Sequence, residues 1–242
     1  MKSRPWLPYV LPMALYMAFL AGQSNDNLLW LYPVKVLVVA GVLWWFRKEY
    51  CRASGPLATW SHPTTAGEPP ALQGWGLTTF IGLVAIAIWI FGDRFYPKTD
   101  ELLLTFERWL AGVLHSPPPK ETFLQPFDPS GRYVFIGFRI VGAVLVVPVM
   151  EELFWRAFLT RWLVKEDFKS VPVGTFTWSS FLITVGLFGV EHNQWLAGLV
   201  CGALYNMVLY RTRSVWACVV AHAVSNAVLA GYVLTTGDWK FW

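Results

Sequence analysis

Two adjacent glutamates and an arginine stand at the end of a long apolar run in the C-terminal half of this 242-residue chain. The run ends Val-Val-Pro-Val-Met and leads directly into Glu151-Glu152-Leu-Phe-Trp-Arg156. On a helix Glu152 and Arg156 are i and i+4, so they share a face and can form an ion pair. Glu151 lies about 100° round the helix, so one arginine cannot neutralise both carboxylates equally. Such unequal surroundings can tune one carboxylate to act as a base.

Two further polar sets follow in later apolar runs. Phe188-Gly-Val-Glu191-His192 ends one run with a histidine, and His222-Ala-Val-Ser-Asn226 places a histidine and an asparagine on one helical face. A lone histidine on an apolar helix is more often a satisfied core group, and charges at a helix end are often simply solvated. Unsatisfied polar groups are unfavourable in lipid. Three sets on consecutive helices are therefore expected to converge on one another or on a water-filled cavity.

The composition indicates that these residues lie in a lipid environment. Hydrophobic residues make up 55% of the chain and charged residues only 14%, against about 25% charged residues in a typical soluble domain. The Lys and Arg residues behind the net charge of +4 fall mainly between apolar runs, which suits membrane orientation better than nucleic-acid binding. Cys51, Cys201 and Cys218 form no C-x-x-C pair, so neither a disulfide framework nor a thiolate metal site is predicted.

Seven apolar stretches predict an all-α fold, a polytopic transmembrane helix bundle of about seven spans with the chemical residues in the last four. Several stretches approach the ~20 residues that a helix needs to cross the hydrocarbon core, and an open strand would leave its backbone unpaired there. The stretches are Trp6–Gly22, Leu28–Phe46, Gly76–Gly92, Tyr133–Phe154, Phe176–Val190, Trp195–Tyr210 and Val215–Leu234. The first is expected to be a retained span, because two prolines interrupt it and no cleavage pattern follows.

The three polar sets carry a family resemblance. In order, the motifs E-E-x-x-x-R, F-x-x-x-H and H-x-x-x-N resemble those of the CAAX protease and bacteriocin-processing enzyme family (CPBP, also called Abi). Each motif alone is weak, but the ordered set on predicted membrane helices is specific. The resemblance covers Tyr133–Leu234, and its motifs are Glu151-Glu152-Leu-Phe-Trp-Arg156, Phe188-Gly-Val-Glu-His192 and His222-Ala-Val-Ser-Asn226.

The resemblance implies an intramembrane glutamic endopeptidase that needs no cofactor or metal. By this analogy Glu151 is the general base that activates water, and His192 helps to hold or activate that water. His222 and Asn226 would stabilise the oxyanion that develops on the scissile carbonyl. This agrees with the chemistry of amide hydrolysis, which needs a base near the water and donors aimed at the developing negative charge.

Glu152 and Arg156 would form the supporting ion pair of such an enzyme. The implied substrate is a membrane-associated protein or peptide, processed at a C-terminal tail or anchor. The expected surroundings are the lipid bilayer of a cell membrane, here a bacterial inner membrane, and nucleic acid is not an expected partner. Lys and Arg placed between alternate spans predict a cytoplasmic N-terminus.

Two parts of the chain are expected to differ in role. Residues 1–131 would supply the N-terminal spans, a cytoplasmic loop at Arg47–Gly74 and a long outer loop at Asp93–Arg132. That outer loop contains a predicted amphipathic helix at Asp100–Leu114. Residues 132–242 would form the CPBP-like catalytic helical bundle.

The residues alone leave two other functions open. Glu151, His192 and His222 supply one carboxylate and two histidines, a common catalytic zinc set, although the H-E-x-x-H spacing is absent. Alternatively, the protein is a non-catalytic membrane scaffold or immunity protein whose buried charges only fix helix packing. Lys35 and Arg139, which lie in or near apolar runs, are expected to reach an interface with their charged ends.

The predicted site requires Glu151 and His192 to lie at the same depth in the membrane. If the fourth span begins near Arg132, Glu151 lies about 28 Å along its axis, whereas His192 ends a span that runs the opposite way. The two meet only if the fourth helix is long and displaced, with Arg139 and Arg161 flanking the membrane. A turn inside the bilayer must also bring His192 inward. Both features are predicted.

Overall fold

The computed structural model describes residues 4–23, 27–53, 70–105 and 129–241, and within these ranges the chain is helical with no strand. Each of the seven predicted apolar stretches is a helix, so the all-α fold class is confirmed. The helices are α1 (Leu7–Ala21), α2 (Leu28–Trp45), α3 (Arg47–Ala53), α4 (Pro70–Gly92), α5 (described over 99–105), α6 (129–162), α7 (Trp178–Val190), α8 (Trp195–Thr212) and α9 (Val215–Thr236).

The predicted loop at Arg47–Gly74 is wrong at both ends. Its first seven residues form α3, which the Tyr50 hydroxyl anchors by donating to the carbonyl of Pro8 at 2.7 Å. At the other end α4 begins at Pro70, since a proline is tolerated in the first turn, where its missing N–H has no intrahelical partner. The centre of the predicted loop lies outside the described residues. So does the part of the predicted amphipathic helix beyond residue 105.

Among the described residues, four helical segments are long and apolar enough to cross a membrane. These segments are Leu28–Trp45, Trp75–Thr105, Tyr133–Trp162 and Val215–Thr236. Helices α1 and α7 are apolar but shorter, and α8 has 18 residues. The chain is therefore a multi-pass helical membrane protein, and the count of seven spans stays a prediction.

The long helix α6 is confirmed. Its apolar part, Tyr133–Trp162, has 30 residues, about 45 Å at 1.5 Å per residue, against a hydrocarbon core of about 30 Å. Two segments of α6, Gly142–Val146 and Leu153–Leu159, are π-helical. Such segments are rare and often lie at functional sites. They bracket Val147–Glu152, the short α-helical segment that carries both glutamates.

Side-chain caps fix where the last helices begin. The Thr177 hydroxyl accepts the N–H of Ser180 at the start of α7, and the Ser214 hydroxyl accepts the N–H of Ala217 at the start of α9. Threonine and serine are preferred at this position because their oxygen satisfies an N–H that has no intrahelical partner. Gly237 then ends α9 in the left-handed conformation, which a glycine adopts without steric penalty.

Helices α4 and α9 approach closely at Gly82. A Cβ added at this glycine would lie 2.5 Å from the carbonyl oxygen of Ala221 and 3.1 Å from the Cβ of Val224. The Ser225 hydroxyl also donates to the Gly82 carbonyl at 2.8 Å. Because the nearest obstructing atom belongs to the backbone, a side chain here forces the helices apart. The contact therefore fixes α9, with His222, relative to α4.

Replacing Gly82 by alanine is expected to lower the thermal unfolding temperature of the detergent-solubilised protein, because overpacking of this kind destabilises by about 1–3 kcal/mol. Gly76→Ala is the matched control on the same helix, since a Cβ there meets no atom within 4 Å. We expect the control to be as stable as the parent protein. Equal stability of the two variants would contradict the close approach.

Candidate active site

Glu152 lies at the centre of a buried polar network. Its side chain is 0% exposed, and its Oε1 accepts hydrogen bonds from Arg156 Nη1 at 3.1 Å and from His222 Nδ1 at 2.9 Å. The i,i+4 contact expected within α6 is present, and the histidine of α9 joins it. An ionised carboxylate requires such donors when it is removed from water. The two helices are thus joined through one oxygen atom.

Arg156 extends the network to α8 and α7. Its Nε donates to Asn206 Oδ1 at 3.2 Å and its Nη2 to the carbonyl of Gly202 at 3.3 Å, while the guanidinium lies 4.6 Å from the centre of the Phe188 ring. The Asn206 amide donates in turn to Thr184 Oγ1 at 3.0 Å. Neither the asparagine nor the threonine belongs to the three sequence motifs. The uncharged amide of Asn206, which interrupts the apolar run of α8, is the feature of the sequence that could have indicated them.

Glu151 faces a cavity of about 210 Å³ between the helices. The carboxylate is almost fully buried, and its Oε2 has no hydrogen-bond partner among the described residues. This cavity brings together the four residues predicted to act directly on a substrate, which are Glu151, His192, His222 and Asn226. The convergence expected from the polar sets is therefore present.

His192 lies in the turn between α7 and α8. Its Nδ1 is 2.7 Å from the carbonyl oxygen of Phe188. Because a carbonyl only accepts hydrogen bonds, Nδ1 carries the proton, and Nε2 of the neutral ring is an acceptor. The ring packs edge-on against Trp89, with 5.2 Å between centres. Helix α7 has only 13 residues, about 20 Å, so His192 follows a helix shorter than a full crossing.

The segment after α4 is hydrogen-bonded to the turn that contains His192. The N–H of Thr99 donates to the Asn193 carbonyl at 3.0 Å, and the N–H of Asp100 donates to Asn193 Oδ1 at 2.9 Å. The Thr99 hydroxyl also donates to the carbonyl of His192 at 3.3 Å. These bonds fix the backbone on which the His192 ring stands. They join positions more than 90 residues apart, so no local sequence pattern predicts them.

His222 and Asn226 are held by different neighbours of α9. The His222 ring stacks on Tyr205 with 5.0 Å between centres. Asn226 Nδ2 donates to the carbonyl of Ala143 at 2.7 Å, within the first π-helical segment of α6. Since the amide has two hydrogens, one remains for a ligand. Ser225 is engaged in helix packing through its bond to Gly82, which does not suit a nucleophile.

The alternative zinc site does not fit this geometry. No group of three or more His, Cys, Asp or Glu in the described parts of the chain is arranged to hold a metal ion. His222 Nδ1 is bonded to Glu152 and His192 Nδ1 to the Phe188 carbonyl. These bonds leave Nε2 of each ring free, as in metal-bound histidines, so it is the spacing of the described side chains and not their hydrogen bonding that fails to give a ligand set.

The arrangement joins a buried carboxylate, two histidines and an amide across one cavity, and these residues lie in a part of the chain that matches a protein family. Residues 134–228 match the family described as type II CAAX prenyl endopeptidase Rce1-like. This segment is an Rce1-like domain. It contains all three motifs and all six predicted site residues. No curated protein and no solved structure matches the chain.

The Rce1-like domain confirms the resemblance to the CPBP family. It identifies the protein as a multi-pass membrane protease, a hydrolase that acts on peptide bonds. The domain begins within α6 and ends within α9. Helices α1, α2 and α4 also contribute residues to the cavity wall. All three precede the matched segment in the chain.

Asn206→Ala is expected to destabilise the Rce1-like domain, because it leaves the fully buried Arg156 Nε without its acceptor. An unsatisfied buried donor costs about 1–3 kcal/mol, and more when it is charged. The measurement is thermal or denaturant unfolding in detergent. Thr235→Ala serves as the control, since that exposed hydroxyl bonds only within its own helix. An Asn206→Ala protein as stable as the control would show that the network adds no stability.

Proposed function

We propose that the protein is an intramembrane endopeptidase of the glutamic type. It hydrolyses a peptide bond of a membrane-associated protein substrate, at a C-terminal tail or anchor, with water activated by Glu151. One observation carries the proposal. Glu151 lines the cavity and its Oε2 has no hydrogen-bond partner among the described residues, while Glu152, which does not line the cavity, accepts hydrogen bonds from Arg156 and His222 through its Oε1. Different surroundings assign two carboxylates different roles.

The attack begins with a water molecule between Glu151 and His192. The Glu151 carboxylate takes one proton from the water, and the water oxygen bonds to the scissile carbonyl carbon. The second hydrogen of the water donates to Nε2 of His192, which is an acceptor because Nδ1 donates to the Phe188 carbonyl. Holding the water in line with the carbonyl contributes to rate in addition to the base itself.

The carbonyl oxygen gains a negative charge as the tetrahedral intermediate forms. His222 Nε2 donates to this oxygen in the doubly protonated form of the ring, in which Nδ1 also donates to Glu152. The second N–H of Asn226 is the other donor. Preorganised donors in a site removed from water supply a large share of catalysis.

The reaction ends when the C–N bond breaks. Glu151, now a carboxylic acid, returns its proton to the leaving nitrogen. The products are an amine and a carboxylic acid, and Glu151 is again a carboxylate. In this scheme Arg156 does not touch the substrate. It binds the same Glu152 oxygen that His222 contacts, so it acts as a positioning residue.

Glu151→Gln is expected to remove processing while the protein stays folded and membrane-inserted. Loss of a general base lowers the rate by about 10²–10⁴-fold. The measurement is mass spectrometry of membrane proteins, comparing C-termini in cells with the parent chain, the variant or neither. Glu166→Gln, at an exposed carboxylate, is the control and should process normally. Normal processing by Glu151→Gln would exclude the glutamic mechanism.

Cleavage by the purified protein is expected to survive strong chelation followed by dialysis, because the described side chains do not form a metal ligand set. Full activity after this treatment supports direct activation of water by Glu151. Activity that is lost on chelation and restored by zinc would contradict the proposal. If neither the parent chain nor any variant cleaves, the polar network serves packing alone, as in a scaffold protein.

A further inference from the structure

The chain folds back onto the cavity after α9. Gly237 ends that helix in the left-handed conformation, and a short 3-10 helix, Trp239–Phe241, follows it. Phe241 lines the same cavity as Glu151 and is 9% exposed. Residues 237–241, here called the C-terminal segment, thus add a wall to the cavity although they lie beyond the part of the chain that matches the family.

The C-terminal segment is attached to the bundle by few contacts. The Lys240 ammonium lies 3.0 Å from Asp93 Oδ2, in the turn that directly follows α4. On the α9 side the Tyr232 hydroxyl donates to Asp238 Oδ2 at 3.4 Å, and the Tyr232 ring packs edge-on against Phe241 with 5.9 Å between centres. Of the described residues that follow α9, Phe241 alone is buried. One ion pair and one ring therefore carry most of the attachment.

The ion pair can open without leaving a charge unpaired. Asp93 Oδ1 also lies 3.3 Å from Lys98 Nζ, so the buried carboxylate keeps a cation when Lys240 leaves. Lys240 has a second carboxylate within its own segment, Asp238 at 3.5 Å, and its side chain is 56% exposed. Breaking a buried pair is strongly unfavourable because it strands a charge. That penalty is absent here, so the contact between Lys240 and Asp93 suits repeated opening and closing.

The C-terminal segment lies on the side of the cavity that contains His192. Asp93 is one helical turn beyond Trp89, which lines the cavity and whose ring lies 5.2 Å from that of His192. Withdrawal of the Phe241 ring therefore opens the cavity next to a residue proposed to hold the water. No side chain of the segment has a part in the proposed chemistry, so its contribution is to access.

We infer that the C-terminal segment is a lid on this cavity. Phe241 closes the cavity, the ion pair between Lys240 and Asp93 holds the lid shut, and its displacement admits the substrate to Glu151. The inference rests on the proposed function only in taking this cavity as the place that the substrate enters. Closure of this kind keeps bulk water from a site whose donors act more strongly when water is excluded.

The test measures access to the cavity and does not depend on cleavage. Cys201 lines the cavity with a free, buried thiol, and the chain has two other cysteines, Cys51 and Cys218. The full chain carrying Cys51→Ser and Cys218→Ala is purified in detergent and treated with N-ethylmaleimide. Mass spectrometry of the intact protein gives the rate at which Cys201 is labelled.

Removal of either lid contact is expected to speed this labelling. Lys240→Met should raise the rate by about two- to fivefold, the effect of losing one partly exposed ion pair. Phe241→Ala should raise it by at least about tenfold, because burial of the whole ring is lost. Lys240→Arg keeps the pair and should label at the parent rate. High salt screens the pair, so it should speed labelling of the parent and not of Lys240→Met.

Lys169→Met is the matched control. It removes another lysine–carboxylate pair, with Glu49 at 3.4 Å, and neither residue lines the cavity. We expect its labelling rate to equal that of the parent. Lys240→Met changes an exposed side chain, so the test remains decisive even where Phe241→Ala fails to fold.

Equal labelling of the parent and Lys240→Met would overturn the lid, as would the same acceleration in Lys169→Met. These outcomes are separate from the proposed function. Faster labelling of the lid variants in a protein that cleaves no substrate would refute the peptidase and leave the lid standing. Unchanged labelling in a protein that processes its substrate would refute the lid alone.

Discussion

The buried carboxylate of Glu152 is the constraint on which the rest of the site depends. A charge removed from water must be paired and hydrogen-bonded, and breaking such a pair destabilises by about 3–5 kcal/mol. Arg156 donates to Glu152 Oε1 from within α6, and His222 reaches the same oxygen from α9. The arginine then needs acceptors of its own, which Gly202 and Asn206 of α8 provide. One buried charge therefore requires three helices to hold a single arrangement, and a fourth joins through the bond from Asn206.

The parts of this arrangement that could be predicted from sequence are the local ones. The pair Glu152 and Arg156 follows from spacing on one helix, and the apolar stretches follow from hydropathy. The partners of Arg156 on other helices could not be predicted in this way, because spacing in the sequence does not indicate which faces of two helices contact each other. The contact of Asn193 with Thr99 was equally hidden. Helix α3 was missed because prolines farther along the same segment favoured a loop.

Departures from regular helix geometry bring the predicted residues together. The two π-helical segments of α6 carry no composition signal, yet one of them presents the Ala143 carbonyl to Asn226. A Cβ added at Gly142, in the same segment, would meet the Tyr32 hydroxyl at 2.8 Å, so α2 packs tightly there. The short α7 adds a second departure. Regular spans would place Glu151 and His192 at different depths in the membrane. The long α6 and the short α7 reduce this difference in depth.

Helix α4 supplies none of the residues proposed for the chemistry, yet it sets their spacing. At Gly82 it abuts α9 one residue before His222, and its C-terminal extension holds the His192 turn through Thr99. Thr99 lies beyond the end of α4, so the two histidines are positioned by one segment of chain whose first part, from Gly82 to Gly92, is helical. Adding or removing a residue within this helical part would shift the following segment by about 1.5 Å along the axis and rotate it by about 100° relative to the contact at Gly82. The length of this helical part therefore determines where the His192 turn lies relative to His222.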